Sequence, residues 1–122
     1  YLQYAHARIC SIFTKAGIGL DQVRAAELRI ADPAEKRLAL ILLRYGGHGG
    51  AVADVARTLQ PHRLCSYLYE LAEGYSAFYQ ACPVLKADDE ATKLSRLRMC
   101  DLVRRVLADG LDLLGIEAPS RM

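Results

Sequence analysis

Apolar residues recur at helical spacing in almost every segment of this 122-residue chain, and no stretch alternates apolar and polar residues with period two. A backbone patterned this way folds into helices that each bury one stripe, so the expected fold class is all-α, a helical bundle. The length suits one domain, 1–122, with a core large enough to need no cross-links. No repeat, low-complexity tract or internal boundary divides it. No apolar run reaches membrane-spanning length, and no signal peptide or lipidation motif is present, so no membrane partner is expected. The first residue, Tyr1, already lies inside a helical pattern and is not Met, which marks the chain as an expected piece of a longer protein.

About five main helices are expected. The first runs from Leu2 to Ala16, with Leu2, Ala5, Ile9, Ile12, Phe13 and Ala16 on one face and Gly17 as its stop. The stretch from Ile18 to Ala31 reads either as loop or as a short helix. The second helix is capped by Asp32, with Pro33 in its first position and Glu35 where a capping box places its carboxylate, and it ends at Tyr45 before Gly46 to Gly50. A third spans about Ala51 to Leu59. The fourth opens at Pro61 and runs to about Ala81, ahead of Pro83. The fifth starts at the acidic run Asp88, Asp89, Glu90, which suits the positive end of a helix, and continues to Leu114 before Gly115.

Net charge is only +2, from 16 basic and 14 acidic side chains, so any basic site must come from local placement. The cysteines Cys10, Cys65, Cys82 and Cys100 form no C-x-x-C pair and sit in apolar stretches. They read as free buried thiols in a reducing cytosol, with no metal site. Gly46 to Gly50 lacks the Lys-Ser or Lys-Thr of a phosphate-binding loop and follows no strand, so it reads as a turn. His6, His48 and His62 are too scattered for a triad or a metal site, and no catalytic residue or cofactor is assigned to the chain.

Three helix faces carry more. At about 100° per residue, Tyr4, Arg8, Ser11 and Lys15 fall together, opposite the apolar face of the first helix. A ring beside cations can stack on a base while the cations neutralise phosphates, although a solvated face with one tyrosine has the same pattern. In the fourth helix Leu64, Leu68, Leu71, Tyr75 and Phe78 define a core stripe, with Tyr67 and Tyr79 at its edges and Tyr69 turned outward among Glu73, Ser76 and Gln80. An edge tyrosine near a helix end, such as Tyr79, is partly supported and partly reachable. In the fifth helix Asp101 is spaced to pair with Arg98 and Arg105, and Asp109 with Arg105, which predicts a solvated ion-pair ladder. Arg96 has no acid at i+3 or i+4 and needs a partner from elsewhere.

Three stretches in order resemble the C-terminal anticodon-binding domain of arginyl-tRNA synthetases, the helical type called DALR. They are Tyr1-Leu2-Gln3-Tyr4-Ala5-His6-Ala7-Arg8; Tyr67-Leu68-Tyr69-Glu70-Leu71-Ala72, followed by Phe78-Tyr79-Gln80-Ala81-Cys82-Pro83-Val84-Leu85; and the ending from Gly110 to Arg121-Met122. Two features depart from the family's pattern: Ser120 stands where a glutamate is usual, and Gly46 to Gly50 replace a commonly hydrophobic turn. The resemblance implies a parent enzyme that loads arginine onto tRNA with ATP through a separate class I catalytic domain, whose HIGH-like and KMSKS-like motifs do not occur here. It also implies a grip on the anticodon loop by tyrosines that match Tyr4 and Tyr79 and by the terminal Met122.

The expected partners are therefore the tRNA(Arg) anticodon loop and the catalytic domain of the same synthetase, in a cytoplasmic monomer. Tyr4 and Tyr79 are expected to stack on unpaired bases, Arg8, Lys15 and Arg96 to meet phosphates, and Arg121 and Met122 to close the pocket. The rivals are a helical protein-interaction module, with the exposed aromatics as anchors, and the related anticodon domain of cysteinyl-tRNA synthetase. The Tyr-Ala-His-Ala-Arg segment and the terminal Arg-Met favour the arginine enzyme.

Overall fold

The computed structural model describes residues 1–45 and 61–121; the expected helix over 51–59, the Gly46 to Gly50 turn and Met122 lie outside them. Five helices are present among the described residues: α1 (Leu2–Ala16), α2 (Leu20–Arg24), α3 (Pro33–Leu43), α4 (Pro61–Ala81) and α5 (Glu90–Leu113). Their ends follow local chemistry. Gly17 takes φ 64°, the left-handed conformation that closes α1, and its N–H returns to the Phe13 carbonyl. At α3 the Asp32 carboxylate accepts from the Ala34 N–H at 2.8 Å, while Glu35 accepts from the Asp32 N–H at 2.9 Å. With Pro33 in the first position, this is the expected capping box. Asp89 caps α5 by accepting from the Thr92 N–H at 2.7 Å. Gly115, at φ 75°, turns the chain just after that helix.

The core forms around α4, which packs against α1, α3 and α5. Leu64, Leu68, Leu71 and Phe78 of α4 are fully buried, against Ile9 of α1, Leu38 of α3, and Leu97, Val103 and Leu107 of α5. Each such aliphatic side chain contributes about 1.5–3 kcal/mol by leaving water. The approach of α4 to α5 depends on Gly110, where an added Cβ would stand 2.7 Å from Leu68 Cδ2.

The segment left open between loop and helix contains the five-residue α2, fastened to α5 by polar contacts. Arg24 Nε meets Asp101 at 3.0 Å, Arg98 donates to the Ala26 carbonyl at 2.6 Å, and the Arg29 N–H donates to Ser95 Oγ at 2.8 Å. This corrects the expected ladder along α5. Asp101 is 1% exposed and pairs with Arg24 and Arg104, not with Arg98 or Arg105. Spacing within one helix names only intrahelical partners, whereas here α2 covers that face and supplies a cation across the gap. The cysteines are free, but only Cys82 and Cys100 are buried; Cys10 and Cys65 are partly exposed. Burial pushes the Cys100 thiol up to about 12, which keeps it unreactive.

Candidate nucleic-acid interface

Helices α1 and α4 run side by side in the same direction. Tyr1, at the start of α1, stacks on Tyr69 with ring centroids 5.5 Å apart and planes 9° apart, and further along both helices Arg8 and Lys15 share one cleft with Tyr75 and Tyr79. The apolar stripes of both helices face the core, so their polar flanks face each other across a surface cleft. Its volume is about 320 Å³, within the size range of small-ligand sites. Tyr4, Arg8 and Lys15 line it from α1, and Tyr75 and Tyr79 from α4.

Tyr4 is 52% exposed, and the Arg8 guanidinium carbon lies 5.7 Å from its ring centroid, a cation–π pair that leaves both groups reachable. Across the cleft, Tyr79 is half-buried and stacks on Tyr75 at 6.0 Å and 26°. Tyr75 forms the floor: it is buried, and its hydroxyl lies 3.8 Å from Cys100 Sγ. Burial, and then the neighbouring thiol, push that hydroxyl well above the usual phenol range, so the floor stays neutral beside Arg8. Lys15 stands in the last turn of α1. Neither Arg8 nor Lys15 forms an ion pair with a described residue, in contrast to Arg24, Arg44 and Arg104. The cleft therefore offers aromatic faces beside two cations whose charge no described residue neutralises.

Four of the residues singled out in the sequence, Tyr4, Arg8, Lys15 and Tyr79, thus meet in one place. Arg96 does not join them. It is 17% exposed, donates to the Pro83 carbonyl at 2.6 Å and lies 3.6 Å from Glu35. It found the partner its own helix lacked, and its charge is met inside the fold. Arg121 is exposed and does not line the cleft either. The tail before it is docked elsewhere on α1: Gln3 donates to the Glu117 carbonyl at 2.9 Å, and His6 to that of Pro119 at 2.7 Å. Gln3 and His6 project from a different side of α1 than Tyr4 and Arg8.

Sequence reasoning placed Ser11 on the Tyr4, Arg8 and Lys15 face but left out Tyr1, Ser76 and Gln80 as cleft-lining groups. Ser76 and Gln80 are spaced i, i+4 on the polar side of α4, so a helical wheel does place them together. What it lacks is the knowledge that this side of α4 faces α1.

The DALR anticodon binding domain is the family whose model matches residues 2–122. The chain is 54% identical to the arginine–tRNA ligase of Frankia casuarinae over 123 residues, a match covering 100% of this chain and 20% of that protein. It is 51% identical to the arginine–tRNA ligase of Thermobifida fusca, again over 100% of this chain and 20% of the relative. Among solved structures, the Thermus thermophilus arginyl-tRNA synthetase superposes with a TM-score of 0.86 at 43% identity, covering 100% of this chain and 21% of that one. The Plasmodium falciparum arginyl-tRNA synthetase does so with a TM-score of 0.82 at 28% identity, covering 100% and 21%. The chain spans about a fifth of the length of the curated relatives it matches. With a helical fold, an aromatic and basic cleft, and a family match along nearly its whole length, this chain belongs to the DALR anticodon binding domain family.

Proposed function

We propose that the chain binds the anticodon loop of tRNA(Arg) and so supports arginyl-tRNA formation by a separate ATP-dependent catalytic domain of a longer synthetase. The observation that carries this reading is the meeting of Tyr4, Arg8, Lys15 and Tyr79 around one cleft. An anticodon loop presents unpaired bases, which can splay out and stack on such rings, beside phosphates that suit Arg8 and Lys15. Arg96, already bonded to Pro83 and Glu35, is not carried into the proposed contact set. Arg121 and Met122 remain proposed contributors only through the resemblance. A cytoplasmic monomer fits the free thiols.

The test is binding of an arginine anticodon stem-loop by the 122-residue chain across a salt series. Affinity that falls steeply with salt supports the reading, and absence of binding at low salt overturns it. Incubated with arginine, ATP and tRNA, the chain alone should form no arginyl-tRNA. A second reading, a surface that docks another protein unit, is favoured by Leu40 and Leu43 on α3, which are exposed apolar side chains. Binding through that face would be far less sensitive to salt. The catalytic domain of the same synthetase is the partner that fits it.

A further inference from the structure

We infer that Gln80 is a specificity-determining residue of the cleft, reading the edge of the base that stacks on Tyr79; the inference rests on the RNA-binding reading above. Rings hold any base, because every base has a π-face, so Tyr4, Tyr75 and Tyr79 supply grip without choice. Arg8 and Lys15 meet phosphates, which carry no sequence information. Selection requires a hydrogen-bonding group in the plane of the base, and one that presents a donor and an acceptor together can match a two-atom base edge.

Of the described side chains lining the cleft, Gln80 alone has an amide, which offers that pair in fixed geometry. It directly follows Tyr79 near the end of α4. Because α1 and α4 run in the same direction, it stands at the Lys15 end of the cleft, away from the Tyr1–Tyr69 stack. Gln80 is exposed, and among the described residues nothing bonds to its amide, so the group is not engaged in holding the fold. One turn earlier on the same side of α4, Ser76 adds a hydroxyl that can donate or accept. Gln80 and Ser76 together give the α4 wall a polar edge beside the stacking face of Tyr79.

The test uses the 122-residue chain and a set of anticodon stem-loops carrying each of the four bases at each loop position. The unsubstituted chain should bind this set with a spread of roughly tenfold or more at one position. Gln80→Ala should shrink that spread to about twofold, leaving the affinity for the weakest hairpins and the salt slope unchanged. Gln80→Glu, which keeps the acceptors and removes the donors, should change which base is preferred there. An undiminished spread in Gln80→Ala, an equal loss across all hairpins, or an unshifted preference in Gln80→Glu would each overturn the inference while leaving the RNA-binding reading intact. Failure of the unsubstituted chain to bind any hairpin would overturn that reading, and this inference with it.

Discussion

The His6 ring donates from Nδ1 to the Pro119 carbonyl at 2.7 Å, joining the first helix to the chain's last segment across 113 positions of sequence. Both polar ties from α1 to the described tail, this one and Gln3 to Glu117, end on backbone carbonyls. The tail's path therefore depends on α1 more than on its own side chains. His6 is buried, so His6→Ala leaves the Pro119 carbonyl without its donor and should cost about 1–3 kcal/mol in thermal or denaturant unfolding. Amide exchange over residues 116–118 should quicken in the same variant. Gln3→Ala breaks the more exposed bond and should cost less, about 0.5–1.5 kcal/mol.

Asp101 gives the fold an acid-sensitive point. Burial alone would raise its carboxyl, but hydrogen bonds from Arg104 and Arg24 outweigh this and hold it below its ordinary value of 3.8. A folded value below the unfolded one means that the stabilisation is present above about pH 4. It is lost as pH falls from there through the lowered value. Asp101→Asn should cost about 1–3 kcal/mol at neutral pH, since it removes the buried charge that Arg24 and Arg104 both pair with while keeping one acceptor oxygen. It should also flatten the stability profile below pH 4. Urea melts between pH 2.5 and 7 compare the two chains.

Two glycines test how tightly α4 is held. A Cβ at Gly110 would meet three atoms of Leu68, at 2.7, 2.8 and 3.2 Å, and Leu68 is fully buried with little room to move. At Gly74 the tightest contact is the tip of one side chain, Ile41 Cδ1, at 2.8 Å. Alanine gains about 1 kcal/mol of helix propensity at either place, while overpacking costs about 1–3 kcal/mol. Gly110→Ala should therefore be destabilising, and Gly74→Ala close to neutral. Chemical denaturation of both variants decides.

Within-helix features were legible from the chain because their cause is local. The capping box at Asp32, the stop at Gly17, and the shared face of Tyr4, Arg8 and Lys15 depend on neighbours a few residues away. What the sequence hid was cross-helix pairing. Asp101 has three arginines at reachable spacing on its own helix, and nothing local says that Arg24 of α2 lies over it. Likewise Arg96 looked available because its partner, Glu35, belongs to a capping box on another helix. The cleft shows both sides of this. Periodicity exposed Tyr4 and placed Tyr79 at an edge, but only the packing of α1 against α4 brings Gln80 and Ser76 to the same site.

Salt dependence separates the two cations of the cleft from those held within the fold. Arg8→Ala and Lys15→Ala should each weaken binding of an arginine anticodon stem-loop and reduce the salt slope by about 0.7 for the lost single-strand phosphate contact. Their stability should change little, since neither residue is ion-paired with a described residue. Arg96→Ala should do the reverse. It frees the Pro83 carbonyl and the buried Glu35, so it lowers stability and leaves the slope of the remaining folded protein unchanged.

Tyr4 and Tyr79 face the same cleft from different helices, 75 positions apart in the chain. If one base lies between them, each ring restrains the position that the other stacks against. Tyr79→Ala should remove about 1–3 kcal/mol of binding, as expected for a ring beneath a base. Tyr4→Ala should remove a comparable amount, including the loss of its contact with Arg8. The double variant should lose less than the sum, because the first substitution already frees the base from its sandwich. Tyr79 is also part of the Tyr75 stack, so every variant needs a thermal melt beside its binding isotherm. Simple additivity in a double-mutant cycle, with all four proteins folded, would mean that the rings hold different bases and that the cleft accommodates two nucleotides rather than one.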